Sequence, residues 1–221
     1  GFGRACNLAS ENASGDYLLF LNPDAELDPL AIDYLVEAHR SGTGVGFAVP
    51  RLRFPSGMFQ ASCRKLPTVS NMIFSRGSAL TRLFGKLGGG HSSYTLPDYT
   101  EITPVPAVAG TAALISRKCF VSHRGFDPRF FLFMEDTDLC ARLGQSGYKH
   151  LFVPTAGAVH RWGRGSNAGR VVRVMRHHMS VWKYFLKHFP NGFSVVILPF
   201  LLLGNAILSL ILRPSDKGSQ L

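Results

Sequence analysis

The chain has 221 residues, enough for one domain of ordinary size with a complete core and too few for two large ones. With 46% apolar residues, only 17% charged and 17 Phe, it excludes disordered, fibrous and collagen-like classes and raises a membrane connection. The net charge of +10, from 24 Lys and Arg against 14 Asp and Glu, comes from the acid-free stretch between Leu139 and Ser215, a block suited to phosphates of a nucleotide, a nucleic acid or lipid head groups.

The chain opens Gly1-Phe2-Gly3, with no Met and no signal peptide, and a segment upstream of Gly1 is expected. Asp16 to Leu21 is an apolar run without alternation, as in a strand of a parallel sheet covered on both faces. It ends in Asn22-Pro23-Asp24. A helix follows, with Asp28 as N-cap, Pro29 at the first helical position, apolar Leu30, Ile32, Leu35 and Val36, and Gly42 as stop. Val45 to Val49 reads as the next strand, and Arg51 to Phe54 with Phe59 to Cys63 reads as a hairpin around Pro55-Ser56-Gly57.

From Ser75 to Thr103 the glycines 85, 88, 89 and 90 and the run His91-Ser92-Ser93 suggest a loop covering a site; no P-loop Lys-Ser/Thr follows them. Ala112 to Ile115 is a strand and Lys118 to Ser122 a short helix. Gly125-Phe126-Asp127 then leads to an aromatic cluster, Phe130, Phe131 and Phe133, expected in the core. Glu135, Asp136 and Asp138 fall in the first turn of a helix with apolar face Leu139, Cys140 and Leu143, closed by Gly147. Acidic residues there are ordinary capping, yet three within four exceed what capping requires. Leu151 to Val153 is expected as the last strand, with Pro154 leading to His160 in a glycine-containing loop.

Arg170 to Phe189 reads as an amphipathic helix, with Val171, Val174, Met175, Trp182 and Phe185 on one side and Arg173, Arg176, Lys183 and Lys187 opposite. That pattern suits a membrane surface or a helix packed on the domain. Phe193 to Leu212 has 20 residues and no charge, interrupted by Pro199, Gly204 and Asn205; it either spans a bilayer or lies in its plane. The cations preceding it place the body on the cytoplasmic face of the membrane. The four cysteines, Cys6, Cys63, Cys119 and Cys140, show neither CxxC nor knuckle spacing and read as reduced, buried thiols.

In open α/β sheets ligands bind outside the carboxyl ends of the strands, where Asn22-Pro23-Asp24, Glu135-Asp136 and His160 gather. Two carboxylate clusters with a His suit a hard divalent cation and a general base. Mg²⁺ needs one or two protein ligands beside phosphate oxygens and water, and a His ligand fits Mn²⁺ somewhat better.

Five stretches in order, from Gly1-Phe2-Gly3-Arg4-Ala5-Cys6-Asn7 through Tyr17 to Asp24, Gly110 to Arg117 and Gly125 to Arg142, to Val153 to His160, resemble family 2 glycosyltransferases of the GT-A fold, specifically the rhamnosyltransferase-like branch. The resemblance covers residues 1 to about 190. It implies an α/β fold of the GT-A, Rossmann-like type, with a mixed, mainly parallel sheet flanked by helices and a C-terminal amphipathic and hydrophobic helical tail. The implied organisation is a catalytic domain over 1–168, a basic amphipathic helix over 169–190 and a hydrophobic membrane-associated segment over 191–221.

The same resemblance implies the roles. Asn22-Pro23-Asp24 stands where the family has Asp-x-Asp, making Asp24 the metal ligand on the sugar-nucleotide diphosphate, with Asn22 replacing the first Asp. Asp136 matches the catalytic base that deprotonates the acceptor hydroxyl for in-line attack with inversion, and Glu135 is its helper. His160 completes a Mg²⁺ or Mn²⁺ site, Gly110 and Thr111 lie where donor sugar and acceptor meet, and Arg161 or Arg164 stabilises the leaving diphosphate. The implied donor is a nucleotide sugar, with rhamnose the sugar this branch suggests, and the acceptor a polysaccharide or polyprenyl-linked glycan, with membrane lipid contacted through 170–212. The family's first, base-binding strand lies upstream of Gly1, so the 221-residue piece alone is expected to be inactive. The competing classes are a transferase-like scaffold without activity and a basic module binding membrane. Nucleic acid is disfavoured because Trp182 and Phe185 fall on the apolar side.

Overall fold

The computed structural model describes residues 1–69, 71, 94–161, 169–192 and 194–211. The chain forms two compact units, one of Gly1–Leu66 with Thr95–Asn167 and one of Pro67–Tyr94 with Ala168–Leu221.

The first unit is a mixed sheet with helices on both faces. Its strands are β1 (Tyr17–Leu21), β2 (Ala25–Leu27), β3 (Val45–Arg53), β4 (Phe59–Gln60), β5 (Cys63–Arg64), β6 (Thr103–Val105), β7 (Ala107–Val108), β8 (Ala112–Ser116) and β9 (Lys149–His160). The main sheet runs β1-β8-β3-β9-β2, with β4 beside β3 and β6 beside β9, and β5 pairs β7 separately. The long central pair β3–β9 is parallel. The flanking pairs, β1 with β8 and β2 with β9 included, are antiparallel. The α/β architecture is the expected one, with its parallel part in the centre.

Alternation along β1 explains how a short apolar strand is covered twice. Leu18 and Phe20 join Phe47, Phe120, Phe126, Leu139 and Phe152 in one core layer, while Tyr17 and Leu19 pack on the other, around Leu35, Val45, Leu114 and Val153. Helix α2 (Ala31–Ser41) contributes Ala31, Leu35 and Ala38 to this second layer. The first layer is lined by α3 (Arg117–Ser122) and α4 (Glu135–Gln145), whose Leu139, Cys140 and Leu143 are buried as expected.

An element absent from the sequence reading is α1 (Phe2–Glu11). Asn7 anchors it, donating to Phe126 O at 2.7 Å and accepting from Phe126 N at 2.9 Å. A Cβ on Gly3 would stand 2.9 Å from Phe126 Cβ, so glycine lets the helix approach.

Four expectations are corrected. Asp28 does not cap α2: its carboxylate takes a bidentate pair from Arg53 at 2.6 and 2.7 Å, and the N-cap position is Leu30 with φ 63°. Strand β9 does not stop at Val153 or hand over to a loop. Pro154 lacks the N–H for the ladder, and the register with β3 jumps from Pro50↔Val153 to Arg51↔Gly157, after which the strand continues to His160. Gly157 leaves the room there that the Asp28 carboxylate fills, because a Cβ would lie 2.1 Å from Asp28 Oδ2. Of the aromatic cluster only Phe130 is core; Phe131 and Phe133 are 52% and 37% exposed, and Phe126 takes the core place. Cys63–Arg64 leaves the hairpin for β7 rather than extending the Leu52↔Gln60 pairing. The glycine-rich part of the Ser75 to Thr103 stretch lies outside the described residues.

All four cysteines are free, and three of them, Cys63, Cys119 and Cys140, are buried. Burial pushes the Cys6 and Cys63 thiols up to about 11. They are inert packing groups.

The second unit contains α5 (Arg170–His188) and α6 (Ser194–Ile211). The polar Asn205 that interrupts the apolar run is 7% exposed and lies 3.0 Å from His178 Nε2 on α5. His178 Nδ1 donates to Val174 O at 2.8 Å, which leaves Nε2 to accept from the Asn205 amide. Outward from that pair, α6 exposes Val196, Phe200, Leu203 and Ile207, spaced four, three and four residues apart, and α5 exposes Val171, Met175, Met179 and Leu186. Among the described residues no helix is long and apolar enough to cross a membrane.

Candidate functional site

Strand pairing brings four of the expected site residues, Asn22, Asp24, Thr111 and His160, to one end of the sheet. Leu21↔Ala112 closes the β1–β8 ladder, and Asn22 N–H then donates to Thr111 O at 2.8 Å. A turn from Asn22 O to Ala25 N at 3.0 Å lifts Asp24 out of the chain, and Ala25↔His160 sets it opposite the last residue of β9. Asn22, Thr111, Asp24 and His160 thus meet through strand-end geometry.

Asp24 and His160 face each other, with Oδ1 and Nε2 3.3 Å apart and side chains only 10% and 11% exposed. Asp24 Oδ1 is buried and accepts no hydrogen bond. The ring's other nitrogen, Nδ1, lies 2.8 Å from Oε1 of Gln60, itself 2% exposed on β4. A nearly dry carboxylate oxygen beside an imidazole nitrogen is a donor set that fits a divalent cation of the Mg²⁺ or Mn²⁺ kind. Among the described residues no group of three or more His, Cys, Asp or Glu could hold a metal by itself. The pair therefore fits a cation whose remaining ligands are water and substrate oxygens.

The three carboxylates of α4 have three different fates. Two consecutive residues with left-handed backbone, Phe133 at φ 67° and Met134 at φ 68°, turn the chain into the helix. Such positions cost non-glycine residues about 1–3 kcal/mol each and persist where the surroundings enforce them. Glu135 is turned inward, 6% exposed, with Oε2 lacking a hydrogen bond. Burial and then the neighbouring Asp136 charge push its carboxyl up to about 8, so at neutral pH it carries a proton. Asp138 is fully buried and paired with Arg142 Nε at 2.9 Å; the same guanidinium donates to His123 O, and to Gly125 O at 2.6 Å.

Asp136 alone turns toward the site, its side chain 13% exposed. Oδ2 accepts from Gly110 N–H at 3.0 Å and Oδ1 from Thr137 N–H and Oγ1 at 2.6 and 3.1 Å. Arg64 Nη2 completes the set, 3.2 Å from Oδ2. Gly110 and Thr111, adjacent in sequence, thereby link the Asp136 carboxylate to the β1 end that carries Asn22.

Arg161 is anchored through its backbone to Asp24 O at 2.9 Å, and its guanidinium lies 3.3 Å from Glu26 Oε2 in a pair 47% and 66% exposed. Arg164 lies outside the described residues. The sequence reading missed Gln60 and Arg64. Gln60 carried a faint signal, a polar residue at an inward position of a hairpin strand; Arg64 carried none.

The fold is an α/β architecture of the GT-A type. The sequence pattern of the family described as Glycosyl transferase family 2 matches residues 1–120. The chain belongs to that family and by membership is a glycosyltransferase. It is 28% identical over 221 residues to an N-acetylglucosaminyl-diphospho-decaprenol L-rhamnosyltransferase of Mycobacterium tuberculosis, covering 99% of this chain and 71% of the relative. It is 29% identical over 202 residues to the rhamnosyltransferase WbbL of Escherichia coli K12, covering 85% and 70%. Among solved structures it resembles GalNAc-T7 with UDP, GalNAc and Mn²⁺, at TM-score 0.53 and 15% identity. It also resembles the mannosyltransferase PcManGT of Pyrobaculum calidifontis with GDP-Man and Mn²⁺, at 0.50 and 16%. These alignments cover 93% and 96% of this chain but span 42% and 54% of the two structures' lengths, and they carry the fold alone.

Proposed function

We propose that the chain carries the site of an inverting, cation-dependent rhamnosyltransferase that moves the sugar from a nucleoside diphosphate to a polyprenyl-linked or polysaccharide acceptor. The observation that carries this reading is Asp136, a carboxylate held from three sides at the end of the sheet where Asp24 and His160 meet. Its two oxygens are fixed by Gly110 and Thr137, so it takes the proton of an acceptor hydroxyl without reorganising, while that oxygen attacks the anomeric carbon from the face opposite the diphosphate. Asp24 and His160 would hold the divalent cation, which supplies positive charge to the departing diphosphate. Asn22 offers a neutral amide beside them. No acid is needed on the leaving-group side, since a nucleoside diphosphate leaves readily. The names of the curated relatives support rhamnose and a lipid-linked acceptor, and those of the two solved structures support a nucleotide sugar with Mn²⁺.

The second unit docks the enzyme on the cytoplasmic face of an anionic membrane. The exposed apolar faces of α5 and α6, with Arg173, Arg176, Lys183 and Lys187 on α5, support this. Binding to anionic vesicles is expected to exceed binding to neutral ones and to weaken with salt; equal affinity for both would remove the lipid reading.

Turnover across a panel of sugar nucleotides, with and without Mn²⁺, tests the chemistry in the full-length protein. Mn²⁺-dependent release of one nucleoside diphosphate, lost in Asp24→Ala, is the expected result. Turnover indifferent to Mn²⁺, or silence on every donor by folded and lipid-bound protein, would contradict the reading.

A further inference from the structure

We propose that Gln60 is a positioning residue for the cation-facing pair, setting which nitrogen of His160 carries the proton and so whether His160 and Asp24 open toward a cation or close on each other. This rests on the reading of Asp24 and His160 as the cation pair. Three side chains stand in line, Gln60 Oε1 at 2.8 Å from His160 Nδ1 and His160 Nε2 at 3.3 Å from Asp24 Oδ1. A neutral imidazole has one N–H, and an amide oxygen only accepts, so in this orientation the proton sits on Nδ1 and Nε2 presents a lone pair to Asp24. Two acceptors then face each other in a nearly dry corner, an arrangement that favours a cation beside both.

The same row holds a second arrangement. Reversing the Gln60 amide would let its Nε2 donate to Nδ1, moving the imidazole proton to Nε2, where it would bond Asp24. In the observed orientation Gln60 Nε2 and Asp24 Oδ1 are both buried without a hydrogen bond; the reversal gives each a partner and turns Gln60 Oε1 to the place Nε2 left. An amide is the side chain for this position because it both donates and accepts: apolar groups do neither, and a carboxylate only accepts. Pairing of Leu52 with Gln60 on β4 keeps the amide in place for either arrangement. Cation binding selects the first arrangement and its removal the second.

The test reads the tautomer and the cation directly, without turnover. In wild-type protein, nitrogen NMR of His160, at a pH where the ring is neutral, is expected to show the proton on Nε2 without cation and on Nδ1 with saturating Mg²⁺. Mn²⁺ affinity, read by electron paramagnetic resonance, is expected to fall about 10- to 100-fold in Gln60→Met, a change of similar volume, with the unfolding transition retained. If Asp24→Ala weakens Mn²⁺ while Gln60→Met binds it as wild type does, the inference on Gln60 is overturned and the cation pair stands. If neither substitution changes Mn²⁺ affinity, the cation pair itself fails. A proton that stays on Nε2 in the Mg²⁺-bound protein overturns the inference with no variant needed.

Discussion

The two corners of the site are built on opposite principles. Around Asp136 every carboxylate oxygen meets donors, from Gly110, Thr137 and Arg64. Around Asp24 acceptors crowd together, with a carboxylate oxygen that accepts no hydrogen bond beside an imidazole whose far side is held by Gln60. The first corner is complete in protein alone, as suits a base that must not move. The second leaves a buried carboxylate oxygen without a donor, as suits the cation site proposed for it. A fully bonded carboxylate and one with an unbonded buried oxygen thus differ before any family name is attached, and the proposed roles of base and cation ligand rest on that difference.

The largest expected effect breaks the foundation of the first corner. Arg142→Ala breaks a buried ion pair with Asp138 and frees the His123–Gly125 turn, a loss expected at about 3–5 kcal/mol in denaturant unfolding. A loss below about 1 kcal/mol would mean that the pair does not support the helix.

A smaller effect concerns Glu135, the carboxyl next to Asp136. Its folded value of about 8 lies above the ordinary 4.5, so between those pH values the native state keeps a proton that the unfolded chain has released. Wild-type stability therefore falls as pH rises through that window, while Glu135→Gln carries no such slope. Above pH 8 the variant is expected to be the more stable by about 2–4 kcal/mol. Parallel stability curves for the two proteins would contradict the buried, protonated assignment. The expected helper Glu135 is thus a buried carboxyl turned inward, with its carboxyl pushed up by burial and the Asp136 charge.

The smallest effect sharpens the comparison at a single bond. Thr137 is fully buried, and Thr137→Val removes only the hydroxyl that donates to Asp136 Oδ1. A loss of about 1 kcal/mol in stability is expected, with a several-fold drop in turnover and unchanged Mn²⁺ dependence. Altered Mn²⁺ dependence would show that the two corners are not separate.

Much of this was legible in sequence because local chemistry and tertiary demand agree. Leu139, Cys140 and Leu143 share one helix face, Gly147 takes φ 85° just past the end of that helix, and the Asn22-Pro23-Asp24 turn follows an apolar strand. The misses have a common cause, namely partners distant in sequence. Asp28 looked like a cap because its competitor, Arg53, lies on another strand. Pro154 looked like a terminus because a register jump against β3 cannot be seen in β9 alone. Glu135, Asp136 and Asp138 looked alike, and only the left-handed pair Phe133–Met134 and the long-range contacts of each separate a buried acid, a site carboxylate and a structural ion pair. Arg64 was invisible and Gln60 only faintly marked for the same reason, since neither forms a motif with what it touches.

The most direct test of the central claim compares Asp136→Asn and Asp24→Ala in one single-turnover experiment that also measures donor binding. The account predicts that Asp136→Asn lowers the transfer rate about 10²- to 10⁴-fold with Mn²⁺-dependent donor binding intact, whereas Asp24→Ala loses that binding. Wild-type transfer by Asp136→Asn, or loss of donor binding in both variants alike, would contradict the division of the site into a fixed base and a cation corner.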